Sequence, residues 1–295
     1  MSMSGFIIVN KPVGATSFSM VSLVRRLTGV RRVGHAGTLD PLASGVLPVA
    51  VGQAARFIEY LDDELKTYGA GVRFGIETDT YDAEGEVTAE SDPSGVTAER
   101  IMAALVAFAG DIEQTPPLFS ALKVAGKPLY RYAREGADVA VSPRTVHVAA
   151  IALESYANGV ARIVVRCGKG TYIRSIAHDL GRALGCGAHL AALERTSTGG
   201  FDICDAWTPE QLAELAAEDR LEEAVLALDR AVERRPAAIL GDAQSLDVVS
   251  GRDVSFETRS DAELCRAYSV GGDFLGVLGR AGAAGWHPVK VVAQG

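Results

Sequence analysis

The sequence predicts an α+β fold followed by a small β-rich C-terminal domain, and three observations predict it. Two β-like runs, residues 148–155 and 160–167, flank Asn158-Gly159, the strongest hairpin signal in the chain. Helical patterns fall between β-like runs without the regular alternation of a βαβ fold, and no G-x-G-x-x-G opens a helix. Beyond Arg234-Arg235-Pro236, which reads as a linker, the chain breaks into short Gly-rich β-like pieces at 267–270, 274–278 and 289–292. These place one large domain at 1–235 and a tail domain of about 60 residues at 236–295.

The elements follow in order. Residues 6–9 read as a strand, and Lys11-Pro12-Val13-Gly14 as a turn. Ser17 then caps a helix to about Leu27, with Gly29 just past its end. Residues 67–74 alternate loosely as a strand, and 79–85 are acidic and turn-like. Residues 97–109 form a helix with Thr97 at the N-cap and Ile101, Leu105 and Phe108 on one face, stopped by Gly110. A further helix spans 172–184, and residues 212–226 hold two short acidic helices.

Composition excludes several classes. Of 295 residues, 48% are hydrophobic and 22% charged, as in a globular protein. The longest uncharged stretch, the fifteen residues between Asp40 and Arg56, is interrupted by Pro41, Gly45, Pro48 and Gly52, whereas a membrane span needs about 20 apolar residues. No signal peptide is read at the N-terminus, since MSMSGFIIVN lacks a basic region. Cys167, Cys186, Cys204 and Cys265 have no C-x-x-C spacing, so free thiols in a reducing compartment are expected, and no zinc site. P-loop, H-E-x-x-H and G-x-S-x-G motifs are absent, so no nucleotide cofactor or metal is expected.

The net charge of -8 argues against nucleic acid until it is counted by segment. Residues 1–58 carry six basic and one acidic residue, and residues 100–204 carry twelve and eight. The segment between them, 59–99, carries two and twelve. Two basic blocks could therefore share one face, which attracts an anion locally within a Debye length of about 8 Å. Residues 115–146 add Lys123, Lys127, Arg131, Arg134 and Arg144 with Tyr130 and Tyr132 interleaved. Cations neutralise phosphates and rings stack on bases, so this insertion suits RNA contact.

Two segments carry chemistry. Gly34-His35-Ala36-Gly37-Thr38-Leu39-Asp40-Pro41-Leu42-Ala43-Ser44-Gly45 holds the lone acid of residues 1–58. Pro41 forces Asp40 out of the α region, so its carboxylate stands on a pre-shaped backbone among cations, a setting that suits a nucleophile. In Gly168-Lys169-Gly170-Thr171-Tyr172-Ile173-Arg174, Thr171 reads as an N-cap, which puts Arg174 in the first helical turn against the helix dipole. A nearby carboxylate would offset that cost, and Asp40 is the proposed partner.

The Gly34–Gly45 segment resembles the catalytic loop of the TruB family of tRNA pseudouridine synthases. Gly5-Phe6-Ile7-Ile8-Val9-Asn10-Lys11-Pro12, Lys66-Thr67-Tyr68, Pro116-Pro117-Leu118-Phe119-Ser120-Ala121-Leu122-Lys123 and Gly170-Thr171-Tyr172-Ile173-Arg174-Ser175 are similar to further motifs of that family, in the same order. The resemblance implies a mixed, mainly antiparallel sheet flanked by helices, with a PUA-like RNA-binding tail. It implies that uridine 55 in the T-loop of tRNA is isomerised to pseudouridine without a cofactor, by a protein acting as a monomer in the cytoplasm. Asp40 matches the catalytic aspartate, Tyr68 the ring that stacks on the flipped base and Arg174 the partner of the aspartate. His35 matches the side chain that enters the RNA stack, Tyr172 and Leu193 the pocket lining, and Lys123, Arg131 and Arg134 fall in the RNA-gripping insertion. Glu194 stands where the family usually has Arg. Attack at C1′, attack at C6 and removal of a sugar proton all remain open to one carboxylate. Two other functions remain open too: a tRNA-binding or tRNA-folding protein without catalysis, and the catalytic subunit of a guide-RNA modification particle.

Overall fold

The computed structural model describes residues 3–61, 65–120, 122–137, 139–257, 261–282 and 285–293, and not the Arg134 side chain. Ala121 and Asp138 lie outside the described residues. The fold is α+β. A ten-stranded sheet has the main order Val225–Leu226, Gly5–Lys11, Ala43–Val51, Ala188–Thr198, Lys66–Phe74, Val160–Cys167, Arg144–Ala157, Gly110–Gln114. Every pairing in it is antiparallel except that of Ala43–Val51 with Ala188–Thr198.

Strand Gly5–Lys11 is apolar at consecutive positions because both of its faces are covered. Ile7 and Val9 enter one core, and Phe6 and Ile8 enter a second. The period-2 geometry of a strand divides the run between them. The first core lies under helices Ser17–Thr28, Ala98–Leu105, Ile173–Leu184 and Pro209–Ala217. The hairpin turns at Asn158 and Gly159, with φ of 53° and 73°, as a two-residue turn of this type requires.

Three boundaries differ from the sequence expectation. The first helix is capped by Thr16, whose hydroxyl accepts from the Ser19 amide, because the Ser17 hydroxyl is engaged with the Leu39 backbone. The helix at 97–109 keeps Thr97 as its cap, but its α-helical part is Ala98–Leu105, with a 3₁₀ turn at Val106–Phe108. Helix Ile173–Leu184 has Tyr172 at the N-cap, and the Thr171 hydroxyl instead donates back to the Gly168 carbonyl.

A separate five-stranded sheet forms the C-terminal domain, in the order Ala237–Leu240, Leu264–Ser269, Phe274–Ala281, Gly285–Val291, Val254–Ser255. Helix Asp242–Val249 packs on it around Val248, Leu278 and Trp286. Val277 and Phe274 extend from this sheet into the second core, beside Phe57. Arg56 donates to the Val291 carbonyl at 2.9 Å, and the Tyr268 hydroxyl to Asp229 at 2.6 Å. Cys167, Cys186 and Cys265 are buried, Cys204 is exposed, and all four are free. No described helix is long and apolar enough to cross a membrane.

Candidate active site

The backbone on both sides of Asp40 is tied to the start of the chain. The Ser17 hydroxyl bonds both the amide and the carbonyl of Leu39, at 2.9 and 3.1 Å. On the other side, the Pro41 carbonyl accepts from the Gly14 amide at 2.8 Å and from Lys11 Nζ at 3.4 Å. Lys11 is fully buried and also donates to the Pro12 and Ala15 carbonyls. Burial pushes its ammonium below the ordinary lysine range, against the pull of Asp40. The loop is thus a rigid bend, and the half-exposed Asp40 carboxylate projects from it.

That carboxylate meets Arg174. Arg174 Nη2 lies 3.0 Å from Asp40 Oδ2, and Nη1 lies 3.3 Å from Oδ2 of Asp82. The guanidinium also donates to the carbonyls of Thr80, at 3.3 Å, and Phe119, at 3.0 Å. A cation in the first turn of a helix is disfavoured by the dipole, and here two carboxylates at the same helix end offset it. Arg174 and Asp82 are both buried, at 8% and 5% side-chain exposure, whereas Asp40 is 46% exposed. Solvent therefore meets the triad chiefly at its Asp40 end. Asp82 is fixed in turn by the Thr80 hydroxyl at 2.6 Å and the Glu84 amide at 3.1 Å.

Asp40 opens into a cavity of about 220 Å³ lined by Thr38, Leu39, Tyr68, Ser120, Tyr172, Arg174 and Leu193, among others. Strand register brings the last components together. In Ala188–Thr198, Leu193 pairs with Ala43 on one side and Ala70 on the other, and Arg195 lies opposite Tyr68. Arg195 is fully buried; it donates to the Val46 carbonyl at 2.8 Å and the Gly37 carbonyl at 2.9 Å, and its charge lies beside the Tyr68 hydroxyl. Burial pushes the Tyr68 phenol above its ordinary range, opposed by the Arg195 charge. Tyr68 is therefore a protonated ring at neutral pH, with the Arg195 charge beside it. The close approach of Arg195 explains a glycine: at Gly45, with φ of 100°, a Cβ would lie 2.2 Å from the Arg195 carbonyl oxygen.

Of the expected site residues, the structure brings Asp40, Tyr68, Tyr172, Arg174 and Leu193 to one cavity. His35 does not line it. It ends the short strand Val33–His35, half-buried, with Nδ1 lacking a partner among the described residues, and its imidazole is pushed down by burial and by Arg195. Lys123 and Arg131 are exposed on the two-strand ribbon and the Leu129–Arg134 helix of the insertion, outside the cavity. Glu194 faces a neighbouring apolar groove with Gly69, Gly71 and Arg162.

Sequence reasoning missed Asp82, Gln114 and Arg195. Gln114 is buried and holds Tyr172 by both backbone groups: its Oε1 accepts from the Tyr172 amide at 2.7 Å and its Nε2 donates to the carbonyl at 2.9 Å. Asp82 lay in a stretch read only as an acidic turn. Its one local signal was a Thr two residues ahead, an Asx-type partner. Among the described residues no group of three His, Cys, Asp or Glu side chains is placed to hold a metal ion.

A family model described as TruB family pseudouridylate synthase, N-terminal domain, matches residues 25–173, and one described as tRNA pseudouridylate synthase B C-terminal domain matches 174–233. The chain is similar to tRNA pseudouridine synthase B of Dehalococcoides mccartyi strain CBDB1, at 40% identity over 98% of this chain and 96% of the relative. The same protein of Solibacter usitatus strain Ellin6076 is 40% identical over 93% and 95%. Among solved structures, a Cbf5–Nop10–Gar1 complex aligns with a TM-score of 0.71 and 28% identity, covering 93% of this chain and 78% of the other. An H/ACA RNP bound to a substrate RNA containing 2'-deoxyuridine shares the fold, with a TM-score of 0.75 and 24% identity over 98% and 85%. A mainly antiparallel sheet that brings Asp40, Tyr68 and Arg174 to a single cavity thus goes with family models spanning residues 25–233, and the chain belongs to the TruB family of pseudouridylate synthases and is an enzyme.

Proposed function

We propose that the chain converts uridine 55 in the T-loop of tRNA to pseudouridine, with Asp40 as the catalytic carboxylate. The observation that carries this reading is Asp40, half-exposed in a cavity shared with Tyr68, its charge met by Arg174 from the buried side. The reaction cleaves the N1–C1′ bond, rotates the base and joins C5 to C1′, and the C5 hydrogen leaves as a proton. It needs no redox partner. A base in a folded loop must first be extruded at a cost of a few kcal/mol, and stacking on Tyr68 returns about 1–3 kcal/mol of that. Tyr172 and Leu193 then border the base, and His35 enters the stack it leaves. Lys123, Arg131 and Arg134 grip the stem through phosphates. Residues 1–235 act as the catalytic domain, and residues 236–295 as a PUA-like domain that adds RNA contact. The protein works as a monomer, in the cytoplasm where tRNA is matured.

The test is release of tritium from unmodified tRNA labelled at uracil C5, with no other component added. Release by the purified protein is expected, and Asp40→Asn abolishes it while RNA affinity stays within about tenfold, or 1.4 kcal/mol. Binding without release establishes a tRNA-binding protein instead. Release only after a guide RNA is supplied establishes a subunit of a guided particle.

A further inference from the structure

Tyr81 is the one aromatic among the described non-glycine residues with positive φ, at 63°. This left-handed backbone is disfavoured for a bulky side chain, and it persists only where surroundings hold it. The holding contact is a ring stack: the Tyr81 ring lies flat on the His178 imidazole, with centroids 3.9 Å apart and planes 10° apart. His178 is buried, yet its Nδ1 has no hydrogen-bond partner among the described residues, so the imidazole is used there as a flat surface. Burial also pushes it toward the neutral form.

The placement of this stack gives it a consequence. His178 follows Arg174 by one turn on helix Ile173–Leu184. Tyr81 stands between Thr80, whose carbonyl accepts from Arg174 Nη1, and Asp82, whose carboxylate faces the same nitrogen. Backbone bonds from the Leu190 amide to the Tyr81 carbonyl and from the Ala83 amide to the Leu190 carbonyl anchor the far side of the turn. Neither ring lines a cavity that contains Asp40. We infer that the Tyr81–His178 stack is a positioning element for the reaction: it locks the turn at residues 80–82 onto the arginine helix, so that one guanidinium nitrogen stays bound there and the other faces Asp40.

The inference rests on Asp40 and Arg174 forming the reactive pair, and its test separates the two. Tritium release is measured under single-turnover conditions with RNA affinity and amide exchange alongside. His178→Ala lowers the single-turnover rate by about tenfold to a hundredfold, the scale set by small misplacements of reacting groups. RNA affinity stays within about twofold, and the Ala83 and Leu190 amides exchange faster. His178→Phe restores a flat ring and keeps the rate within about threefold of wild type. Tyr81→Ala repeats the loss and Tyr81→Phe does not, which decides the matter if a His178 variant fails to fold. A His178→Ala rate equal to wild type, or a His178→Phe rate as low as that of His178→Ala, overturns the inference while Asp40→Asn remains inactive. An active Asp40→Asn overturns the underlying pair, and the inference with it.

Discussion

Asp82→Ala isolates the buried side of the arginine triad. Arg174 and Asp82 are both nearly inaccessible to water, and removing one partner of a buried ion pair leaves an uncompensated charge at a cost of about 3–5 kcal/mol. Here Asp40 remains 3.0 Å from the same guanidinium, and it is solvated, so part of the neutralisation survives. The expected loss is therefore about 2–3 kcal/mol. For a chain of 295 residues this corresponds to a fall in Tm of about 3–5 °C. The assay is a double-mutant cycle with Arg174→Met, read by urea unfolding. With the guanidinium gone, deleting Asp82 removes an unpaired acid rather than half of a pair. The double variant is then more stable than the summed singles predict, by about 1–3 kcal/mol. Because both groups are buried, raising the salt concentration leaves that coupling in place. Additivity within about 0.5 kcal/mol would refute the triad as a structural unit.

Gly45→Ala places a Cβ 2.2 Å from the Arg195 carbonyl oxygen at a φ of 100°, and a loss of about 3 kcal/mol or more is expected; Gly14→Ala, at a φ of 84° with open space around it, loses about 1 kcal/mol, and equal unfolding midpoints would show that strand approach is not the cause. Gln114→Ala leaves the Tyr172 amide without its acceptor at a cost of about 1–3 kcal/mol and raises KM for RNA, whereas an unchanged KM would mean that Tyr172 does not border the bound base. His35 and His178 are held below the ordinary imidazole value of about 6.5, chiefly by burial. Between that value and their folded values the unfolded chain binds more protons, so stability rises with pH there and falls on acidification. Tm should therefore drop as the pH falls through and below about 6.5, less steeply in His178→Phe, and a flat profile contradicts the assignment. Charge reversal at Lys123 and Arg131 should weaken tRNA binding and flatten its dependence on salt, and an unchanged slope would remove the insertion from phosphate contact.

Local signals carried much of this protein in its sequence. Alternation, helical periodicity, Asn158-Gly159 and the Thr97 cap act over one to four residues, so the chain displays them without its fold. Asp40 was legible because Pro41 and the surrounding glycines shape its backbone locally, and because no other acid stands in the first 58 residues. Cap identity was legible only as a choice between neighbours. Thr16 and Ser17 are chemically equivalent caps, and the choice fell to Thr16 because Leu39 occupies the Ser17 hydroxyl. Thr171 likewise lost the cap to Tyr172, because its hydroxyl is engaged with the Gly168 carbonyl while Gln114 holds the Tyr172 backbone.

What the tertiary structure alone decided is which distant residues surround the charges. Asp82, Gln114 and Arg195 reach the site from separate strands and turns, through a sheet register in which one antiparallel and one parallel neighbour meet on Ala188–Thr198. A buried guanidinium must find partners wherever packing brings them, and no spacing along the chain encodes a partner that lies on another strand. The Asp40 loop is thus written locally, and the shell that holds it in place is written in the pairing of strands.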